Sequence, residues 1–186
     1  MTTDYKQPDF YRFNQDSTKL ISFILEQSQL RPEMILDLGA GSGVLGIEYG
    51  LKSPLKRIHF VELQKSFLPY IEENMKVLLP QIEFEITNKK FSEISIGKYD
   101  LIVSNPPYFH SGDGQISPIA ERQTARSWEV DNLNILIQVI KNHLTENGEG
   151  WVSLPNDSKT IQILNSFQGI KIFPQTEKLN YVRILV

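Results

Sequence analysis

Short apolar runs alternate with longer amphipathic stretches along this chain, and the alternation predicts strands joined by helices. The run MILDL at 34–38 has the length of a strand and stops at Gly39, and VLGIEYGLK at 44–52 then spaces its apolar residues as a helix does. Further strands are predicted at 57–63, 82–86, 99–104 and 147–155. Helices are predicted at 67–79 with Ser66 as N-cap, at 133–144 after a cap at Asp131 or Asn132, and at 157–167. Two final strands, 170–173 and 181–186, are expected to form an antiparallel pair.

Strands that alternate with helices form a mostly parallel sheet with helices on both faces. We therefore predict an α/β protein with a seven-stranded, mostly parallel sheet and an antiparallel last strand. Residues 31–186 are assigned to this domain, and residues 1–30 to a segment packed on it as a lid. Residues 109–130, rich in Gly, Ser and charge, predict a long loop of functional importance. Because ligands of such sheets bind at the carboxyl ends of the strands, the residues that follow each strand are the first candidates for a site.

Composition narrows the class of protein. The chain has 186 residues, of which 40% are hydrophobic and 22% charged, as is usual for a globular domain. It contains no cysteine, which excludes disulfides and thiolate metal sites and favours a reducing cytoplasm. No apolar run approaches the about 18 residues of a membrane span, and no side-chain cluster has metal-ligand spacing, so we predict neither membrane nor metal. The net charge of −3 counts mildly against a dedicated nucleic-acid binder but permits a local basic patch.

The stretch DLGAGSG at 37–43 is a glycine-rich turn between a predicted strand and helix. Glycine lets the backbone approach a ligand closely, and the helix N-terminus offers free N–H groups. Residues 41–46 also fit the dinucleotide pattern G-x-G-x-x-G, so NAD is an alternative ligand. Asp37 would repel a pyrophosphate and instead favours a ligand with a positive amino group, such as S-adenosylmethionine. Glu62 ends the next predicted strand and can accept both hydroxyls of a ribose, which the two cofactors share.

The tetrapeptide NPPY at 105–108 follows the fourth predicted strand. Asn105 has a side-chain carbonyl, and the backbone carbonyl of Pro106 is a second acceptor, held rigidly by the two prolines. Tyr108 offers a flat face for stacking. The pattern predicts a clamp for a planar group that bears an NH2. The lone pair of such a nitrogen is delocalised, and accepting both of its hydrogens favours the tetrahedral geometry that frees it. A sulfonium methyl in line at about 3 Å could then be displaced directly, without a strong base.

The pair DLGAGSG and SNPPYF resembles the motifs of class I S-adenosylmethionine-dependent amino-methyltransferases. The resemblance implies a single Rossmann-like domain, S-adenosylmethionine as cofactor, and an acceptor that is the amine of adenine, the N2 of guanine or the amide of glutamine. It implies catalytic roles for Asn105, Pro106 and Tyr108. The residues implied to bind the cofactor are Asp37, Gly39, Gly41, Gly43, Glu62, Asn88 and Asn105. Asn88 stands where many members of the class have an aspartate near the cofactor adenine.

Two other stretches are similar to bacterial tRNA adenine-N6 methyltransferases that modify a valine tRNA. FYRFNQDSTKLISFI at 10–24 resembles their N-terminal segment, which folds over the cofactor and the active site. ERQTARSWEVDNL at 121–133 resembles a stretch that follows their N-P-P-Y loop. The resemblance implies a cytoplasmic, monomeric enzyme that acts on tRNA. The residues expected to contact the substrate are Pro107, Phe109, Arg12, Arg122 and Arg126.

Other functions remain open at this stage. A release-factor-type glutamine-N5 methyltransferase shares N-P-P-Y but usually carries a helical substrate-binding domain, for which the residues before the first predicted strand are too few. An rRNA guanine-N2 methyltransferase would use the same clamp. A DNA adenine methyltransferase is also possible, although nothing resembles a separate target-recognition domain. The non-enzymatic alternative is a cofactor-binding partner subunit, against which the intact glycine turn and the intact N-P-P-Y argue.

Overall fold

The computed structural model of the chain describes residues 3–11, 15–106, 109–110, 127–128 and 130–186. Its helices are α1 Gln15–Gln27, α2 Val44–Lys52, α3 Leu68–Leu78, α4 Val130–His143 and α5 Ser158–Leu164. Its strands are β1 Met34–Leu38, β2 Arg57–Val61, β3 Glu83–Thr87, β4 Tyr99–Ser104, β5 Phe109–His110, β6 Ser127–Trp128, β7 Leu144–Pro155, β8 Ile170–Pro174 and β9 Leu179–Ile184. Short 3-10 turns occupy Lys65–Phe67 and Phe91–Glu93.

Seven of these strands form one sheet in the order β3-β2-β1-β4-β7-β9-β8. The first five strands of this order, β3, β2, β1, β4 and β7, run parallel to one another. β9 runs antiparallel to both of its neighbours, β7 and β8. The predicted seven-stranded, mostly parallel sheet with an antiparallel last strand is confirmed. β5 and β6 form a separate parallel pair, in which Phe109 pairs with Ser127 and His110 with Trp128. None of the helices among the described residues has the length and apolarity that crossing a membrane requires.

Helices cover both faces of the sheet because its central strands are buried on both sides. Successive residues of a strand point to opposite faces. Ile35 accordingly joins a cluster with apolar residues of α1, α2 and α3, whereas Leu36 joins a second cluster with residues of α4 and α5. This burial on both faces explains why β1 is apolar at almost every position instead of alternating.

Two predicted helix starts are wrong. A 3-10 turn, Lys65–Phe67, precedes α3, so Ser66 lies in that turn and Phe67 occupies the N-cap position of the helix. α4 begins at Val130, so Asp131 and Asn132 lie within its first turn and do not precede it. In both cases the polar residue has the side chain of an N-cap but lies inside the first helical turns.

The fifth strand of the sheet, β7, is longer than predicted. It begins at Leu144, directly after α4, where the sequence predicted a helix end and a turn. Leu144 pairs with Tyr99 and Glu149 pairs with Leu101, so the polar residues 145–148 form an irregularity between these two pairs. Such an irregularity lets a polar, glycine-containing stretch remain in a sheet.

The helix α1 is the largest element that was not predicted as such. Leu20, Ile21 and Ile24 are fully buried on one face of it. The spacing of these three residues is typical of a helix. The stretch was assigned only to a lid segment, and no helix was predicted there. On α1, the ring of Phe23 lies 5.9 Å from that of Trp151 and 5.2 Å from that of Tyr181, centroid to centroid. α1 is therefore packed firmly against the sheet.

An N-terminal arm, residues 3–11, continues from α1 across α2 and α3. Tyr5 is buried, and its hydroxyl donates to Oε1 of the buried Glu48 at 2.8 Å. The backbone N–H of Lys6 donates to Oδ1 of Asn74 at 2.8 Å. Asn74 Nδ2 donates in turn to the carbonyls of Lys6 and Ser42, both at 3.0 Å. Asn74 thus ties the arm to the glycine-rich turn.

Candidate active site

Four predicted site residues lie in a row at the carboxyl edge of the sheet. Leu38 pairs with both Val61 and Ser104, and Val61 pairs with Thr87. The residues that directly follow these positions are Asn88, Glu62, Gly39 and Asn105, on β3, β2, β1 and β4 respectively. Neighbouring strands are about 4.8 Å apart, so the row is roughly 14 Å long. The register of the parallel strands alone brings these residues together.

The glycines of the turn have different surroundings. Gly39, Gly41 and Gly43 adopt φ values of 70°, 54° and 81°, a left-handed conformation that favours glycine. A Cβ on Gly39 would meet no atom within 4 Å, and one on Gly41 would meet only the Phe67 ring at 4.0 Å. A Cβ on Gly43 would lie 3.2 Å from both Ile47 and Phe60. Gly39 and Gly41 therefore border open space that a ligand can fill, whereas Gly43 packs against the core.

Asp37 is fully buried at the end of β1. Its Oδ2 accepts the backbone N–H of Gly46, in the first turn of α2, at 3.0 Å. Its Oδ1 has no hydrogen-bond partner. Burial raises the pKa of Asp37 from 3.8 to about 7; the Gly46 hydrogen bond opposes this increase, and the nearby charge of Glu62 adds to it. A cation placed beside Oδ1 would stabilise the ionised form.

Glu62 is 6% exposed and has one backbone donor on each carboxylate oxygen. The N–H of Gly41 donates to Oε2 at 2.8 Å, and that of Gln64 donates to Oε1 at 2.7 Å. Burial raises the pKa of Glu62 despite these hydrogen bonds. Each carboxylate oxygen has a second lone pair, so both can still accept a hydroxyl.

Asn88 holds the loop that follows β2. Its Nδ2 donates to the carbonyls of Glu62 and Leu63 at 2.8 and 2.9 Å. Two donated hydrogen bonds from the same nitrogen fix the plane of the amide. The side chain therefore presents its carbonyl oxygen, an acceptor, in a fixed direction beside Glu62.

Several buried polar atoms around the glycine turn have no hydrogen-bond partner. Among the described residues they include Asp37 Oδ1, Ser42 Oγ and Gln64 Oε1. Buried polar atoms are rarely left unpaired in native proteins. These atoms lie around the turn in which Gly39 and Gly41 border open space. A polar ligand in that space could provide the hydrogen-bond partners that the atoms lack. The described part of the chain has no group of three or more His, Asp or Glu side chains that could hold a metal ion.

Asn105 lies next to the turn and is held by the N-terminal helix. Its Nδ2 donates to Oγ of Ser17 at 2.8 Å, across 88 residues of sequence. The hydroxyl of Ser104 donates to the carbonyl of Leu38 at 2.7 Å and joins the end of β4 to the end of β1. Pro106, the next residue, is buried. Sequence reasoning missed Ser17, because no local pattern relates a serine in α1 to a distant strand end.

Of the remaining predicted site residues, the structure describes the backbone of Phe109 alone. Phe109 begins the short strand β5. Pro107, Tyr108, Arg12, Arg122 and Arg126 lie outside the described residues. Their roles at the substrate stay predictions.

The family of the chain follows from comparison with known proteins. Residues 12–182 match the family model "Methyltransferase small domain". The chain belongs to this family. The match confirms the predicted resemblance to class I methyltransferases. As a property of the family, it also confirms the prediction of a methyltransferase that uses S-adenosylmethionine.

Individual relatives of this methyltransferase family differ in substrate. The release factor glutamine methyltransferase of Aliivibrio fischeri is 29% identical over 82% of this chain and 55% of its own length. The tRNA1(Val) (adenine(37)-N6)-methyltransferase of Tolumonas auensis is 35% identical over 55% of this chain and 43% of its own length. The match thus spans about half the length of these curated relatives. The solved magnesium protoporphyrin IX methyltransferase of Synechocystis, with bound SAM, has the same fold, with a TM-score of 0.62 and 12% identity over 91% of this chain and 78% of that one.

The arm contact at Asn74 leads to a first prediction. Asn74→Ala removes three hydrogen bonds of a side chain that is 1% exposed. We expect a loss of about 2 kcal/mol of unfolding free energy, because the backbone groups of Lys6 and the buried Ser42 lose their partners. Limited proteolysis should cut the arm faster, and chemical denaturation should report the loss of stability. Glu73→Ala, at an exposed neighbouring position of α3, is the control. Wild-type proteolysis and stability of Asn74→Ala would contradict the assigned contact.

Proposed function

We propose that this chain transfers a methyl group from S-adenosylmethionine to the exocyclic N6 amine of an adenine in tRNA. The observation that carries the proposal is the position of Asn105, one strand away from the glycine turn and directly beyond the pair formed by Leu38 and Ser104. If a cofactor lies along the row, its methyl group would point toward Asn105. The side-chain amide of Asn105 would then offer an acceptor beside that methyl group.

The row of residues fits the parts of S-adenosylmethionine in their chemical order. Asn88 presents a carbonyl oxygen that can accept the adenine amine. Glu62 can accept the two ribose hydroxyls, and Gly39 and Gly41 leave room for the chain of the methionine part. The unpartnered Oδ1 of Asp37 can receive the positive amino group. NAD fits less well, because its pyrophosphate would lie near two buried carboxylates, Asp37 and Glu62.

The transfer requires positioning more than acid or base strength. Asn105 Oδ1 and the carbonyl of Pro106 would accept the two hydrogens of the amine, and the ring of Tyr108 would stack on the plane that carries it. S-adenosylmethionine, when bound, would supply a methyl group on a positively charged sulfur, which is a good leaving group for direct displacement by the held amine. The methylated nitrogen would then lose one proton to solvent, so no strong base is required of the chain.

Two features favour tRNA as the acceptor. The sequence 10–24 that resembles tRNA adenine-N6 methyltransferases includes most of α1, which contacts Asn105 through Ser17. The relative with the higher identity, 35%, is a tRNA adenine-N6 methyltransferase by name. We propose in addition that Arg12, Arg122 and Arg126 contact phosphates of the RNA, and that Pro107 and Phe109 border the target base. A cytoplasmic, monomeric enzyme belongs to the same proposal.

A release-factor glutamine is the second candidate acceptor. The release factor relative aligns with 82% of this chain, a larger share than the tRNA relative covers. A glutamine amide is planar and bears two hydrogens on its nitrogen, so the same clamp at Asn105 can hold it. The residues of the clamp do not distinguish the two acceptors, and surfaces beyond it must do so.

The acceptor can be identified with labelled S-adenosylmethionine. The purified protein is incubated in parallel with unmodified bulk tRNA and with purified release factor, and each product is digested and analysed by mass. We expect N6-methyladenosine in the tRNA and no label in the release factor. Methylglutamine in the release factor would replace the first candidate with the second. N2-methylguanosine would assign a guanine as the target, and absence of label in both substrates would contradict the proposed function.

The buried Asp37 predicts a pH dependence of cofactor binding. Its pKa is raised to about 7, so below that pH the carboxyl of the free protein is largely protonated and must lose a proton to pair with the cofactor ammonium. The affinity for S-adenosylmethionine should therefore increase by up to about tenfold per pH unit from about pH 5 to about pH 7, and then level off. The stability of the free protein should change in the opposite sense over the same range, because the folded state retains a proton that the unfolded state releases.

Titration calorimetry at several pH values measures the affinity. Asp37→Asn should bind S-adenosylmethionine weakly and lose most of the pH dependence, and any dependence that remains would report Glu62, whose pKa burial also raises. A wild-type affinity that is constant between about pH 5 and about pH 7 would exclude the pairing of Asp37 with the amino group.

A further inference from the structure

A groove lies between α1 and the turn that joins β8 to β9. Its volume is about 420 Å³. Asp16, Lys19 and Phe23 of α1 line one wall, and Gln175 and Thr176 of the turn line the other. We call it the α1 groove. None of the described residues that line it belongs to the proposed cofactor row, so the groove is a separate feature of the surface.

The register of the sheet places the α1 groove beside the proposed site of methyl transfer. Ser104 pairs with Val152 on β7, so the next residues of the two strands, Asn105 and Ser153, lie level with each other. Ser153 pairs with Tyr181 on β9, and Tyr181 lines the groove. Neighbouring strands are about 4.8 Å apart, so Tyr181 lies roughly 10 Å from Asn105. The proposed cofactor row extends from β4 in the opposite direction, across β1, β2 and β3. The groove therefore lies on the side of Asn105 that faces away from the cofactor.

Both walls of the groove are fixed by contacts to the rest of the domain. After β7, the Nδ2 of Asn156 donates to the carbonyl of Thr176 at 3.2 Å, and its backbone N–H donates to the carbonyl of Lys178 at 3.0 Å. On the other wall, the ring of Phe23 lies 5.2 Å from that of Tyr181. A groove with two supported walls can bind a ligand without first being ordered, which lowers the entropic cost of binding.

The charges in the groove leave one lysine available. Lys52 also lines the groove, but its Nζ lies 3.0 Å from Oε2 of Glu48 in an ion pair. Within the described part of the chain, the exposed amino group of Lys19 has neither an ion pair nor a hydrogen bond. Asp16 and Glu26 add carboxylates to the lining. The groove thus offers one available cation among hydrogen-bonding groups.

We propose that the α1 groove binds the RNA segment next to the target adenine, with Lys19 at a phosphate and with Gln175 and Thr176 at the edge of an unpaired base. The inference rests on the proposed function, which puts the target amine at Asn105. A nucleotide beside the target presents one phosphate and a base edge with both donors and acceptors. One lysine suits the phosphate, and amide, hydroxyl and carboxylate groups suit the base edge.

The polarity of the groove favours RNA over a peptide of a protein substrate. Protein interfaces have an apolar centre, whereas interfaces with nucleic acid are more polar. The apolar side chains Leu179 and Tyr181 line the groove but are only 9% and 2% exposed. Lys19, Gln175 and Thr176 are exposed. The surface that a ligand would meet is therefore largely polar.

Substitution of Lys19 tests the phosphate contact. We expect Lys19→Ala to weaken the binding of unmodified tRNA by about 5- to 10-fold and to reduce the slope of log affinity against log salt by about one unit. The KM for tRNA should rise by the same factor, with kcat within about twofold and the Kd of S-adenosylmethionine within about threefold of wild type. A merely structural role would not change the salt slope. Lys76→Ala, which removes an exposed lysine of α3, is the matched control.

The absence of cysteine from the chain allows a second test that reports position. Gln175→Cys has a single thiol, which can be labelled with a benzophenone maleimide and illuminated in the presence of unmodified tRNA or of purified release factor. We expect a crosslink to tRNA within a few nucleotides of the methylated adenine, and none to release factor. Lys76→Cys, labelled in the same way, should crosslink to neither.

The outcomes separate the groove from the proposed function. A crosslink from position 175 to release factor and not to tRNA would overturn the proposal and assign the groove to a peptide. Wild-type tRNA affinity of Lys19→Ala and no crosslink to tRNA, in a protein that methylates tRNA, would overturn the proposal and leave the proposed function intact. Weakened binding and a tRNA crosslink, in a protein that methylates neither substrate, would support the groove and count against the proposed function alone.

Discussion

Asn105→Ala should lower kcat by about 10³-fold and leave the Kd of S-adenosylmethionine within about threefold of wild type. The substitution removes the carbonyl oxygen that we propose accepts a hydrogen of the target amine. Without this acceptor the nitrogen is neither held in line with the methyl group nor drawn toward tetrahedral geometry. Single-turnover transfer from labelled cofactor measures the rate, and calorimetry measures the affinity.

The controls for this prediction separate the acceptor from the volume of the side chain. Asn105→Asp retains acceptor atoms and should retain measurable transfer, at a rate well above that of Asn105→Ala. Asn165→Ala removes an exposed asparagine at the end of α5 and should be indistinguishable from wild type. Loss of cofactor affinity in Asn105→Ala, with unchanged turnover of the bound cofactor, would contradict the role assigned to Asn105.

Glu62→Ala should have the opposite signature and weaken S-adenosylmethionine binding by about 100-fold, which corresponds to two hydrogen bonds to a charged group at about 1.5 kcal/mol each. The carboxylate is expected to accept both ribose hydroxyls. It also accepts the N–H groups of Gly41 and Gln64, so that its removal loosens the turn that borders the cofactor. Calorimetry measures the affinity, and at saturating cofactor kcat should remain within about tenfold of wild type.

Glu62→Gln refines this test because it preserves the shape of the side chain and one acceptor oxygen. Its NH2 group would face one of the two backbone N–H donors, and we expect an affinity between those of wild type and Glu62→Ala. Glu73→Ala on the exposed face of α3 should bind as wild type does. Tight binding by Glu62→Ala would mean that the ribose lies elsewhere.

The carboxyl edge of the sheet could be predicted from the sequence because it depends on local signals and one general rule. The glycine turn, Glu62 and Asn105 each follow a run of apolar residues, and parallel strands bring their ends to one edge. Asn88 was included through the family resemblance, as a residue that follows the third predicted strand. Hydrophobic runs mark strands reliably enough that errors at their ends, such as the early start of β7, do not move these residues.

The contacts that hold the edge in place could not be predicted in this way. The bond between Ser17 and Asn105 joins positions 88 apart, and those between Asn74 and Lys6 join positions 68 apart. Serine and asparagine on helices have no distinctive pattern, and their partners depend on tertiary packing. The same limit applies to Gly43, which the sequence grouped with the ligand-facing glycines and which the fold packs against Ile47 and Phe60.

The packing of α1 suggests how one clamp can serve acceptors as different as a nucleobase and a protein amide. The proposed clamp would recognise only a planar group with an NH2, and the proposed cofactor row does not depend on the acceptor. Differences between substrates would then arise from elements outside the proposed clamp, such as α1. In this chain α1 contacts Asn105 through Ser17. Substitutions in α1 are therefore expected to affect both the choice of acceptor and the rate of methyl transfer.

The most direct test of the central claim is a crystal structure of the protein with S-adenosylmethionine. We predict that both ribose hydroxyls lie within about 3 Å of the Glu62 carboxylate, that the amino group lies beside Oδ1 of Asp37, and that the methyl group points toward Asn105. The methyl carbon and Asn105 Oδ1 should then border the same cavity, with room for a planar amine between them. A cofactor bound with its methyl group directed away from Asn105, or with its ribose remote from Glu62, would contradict the account.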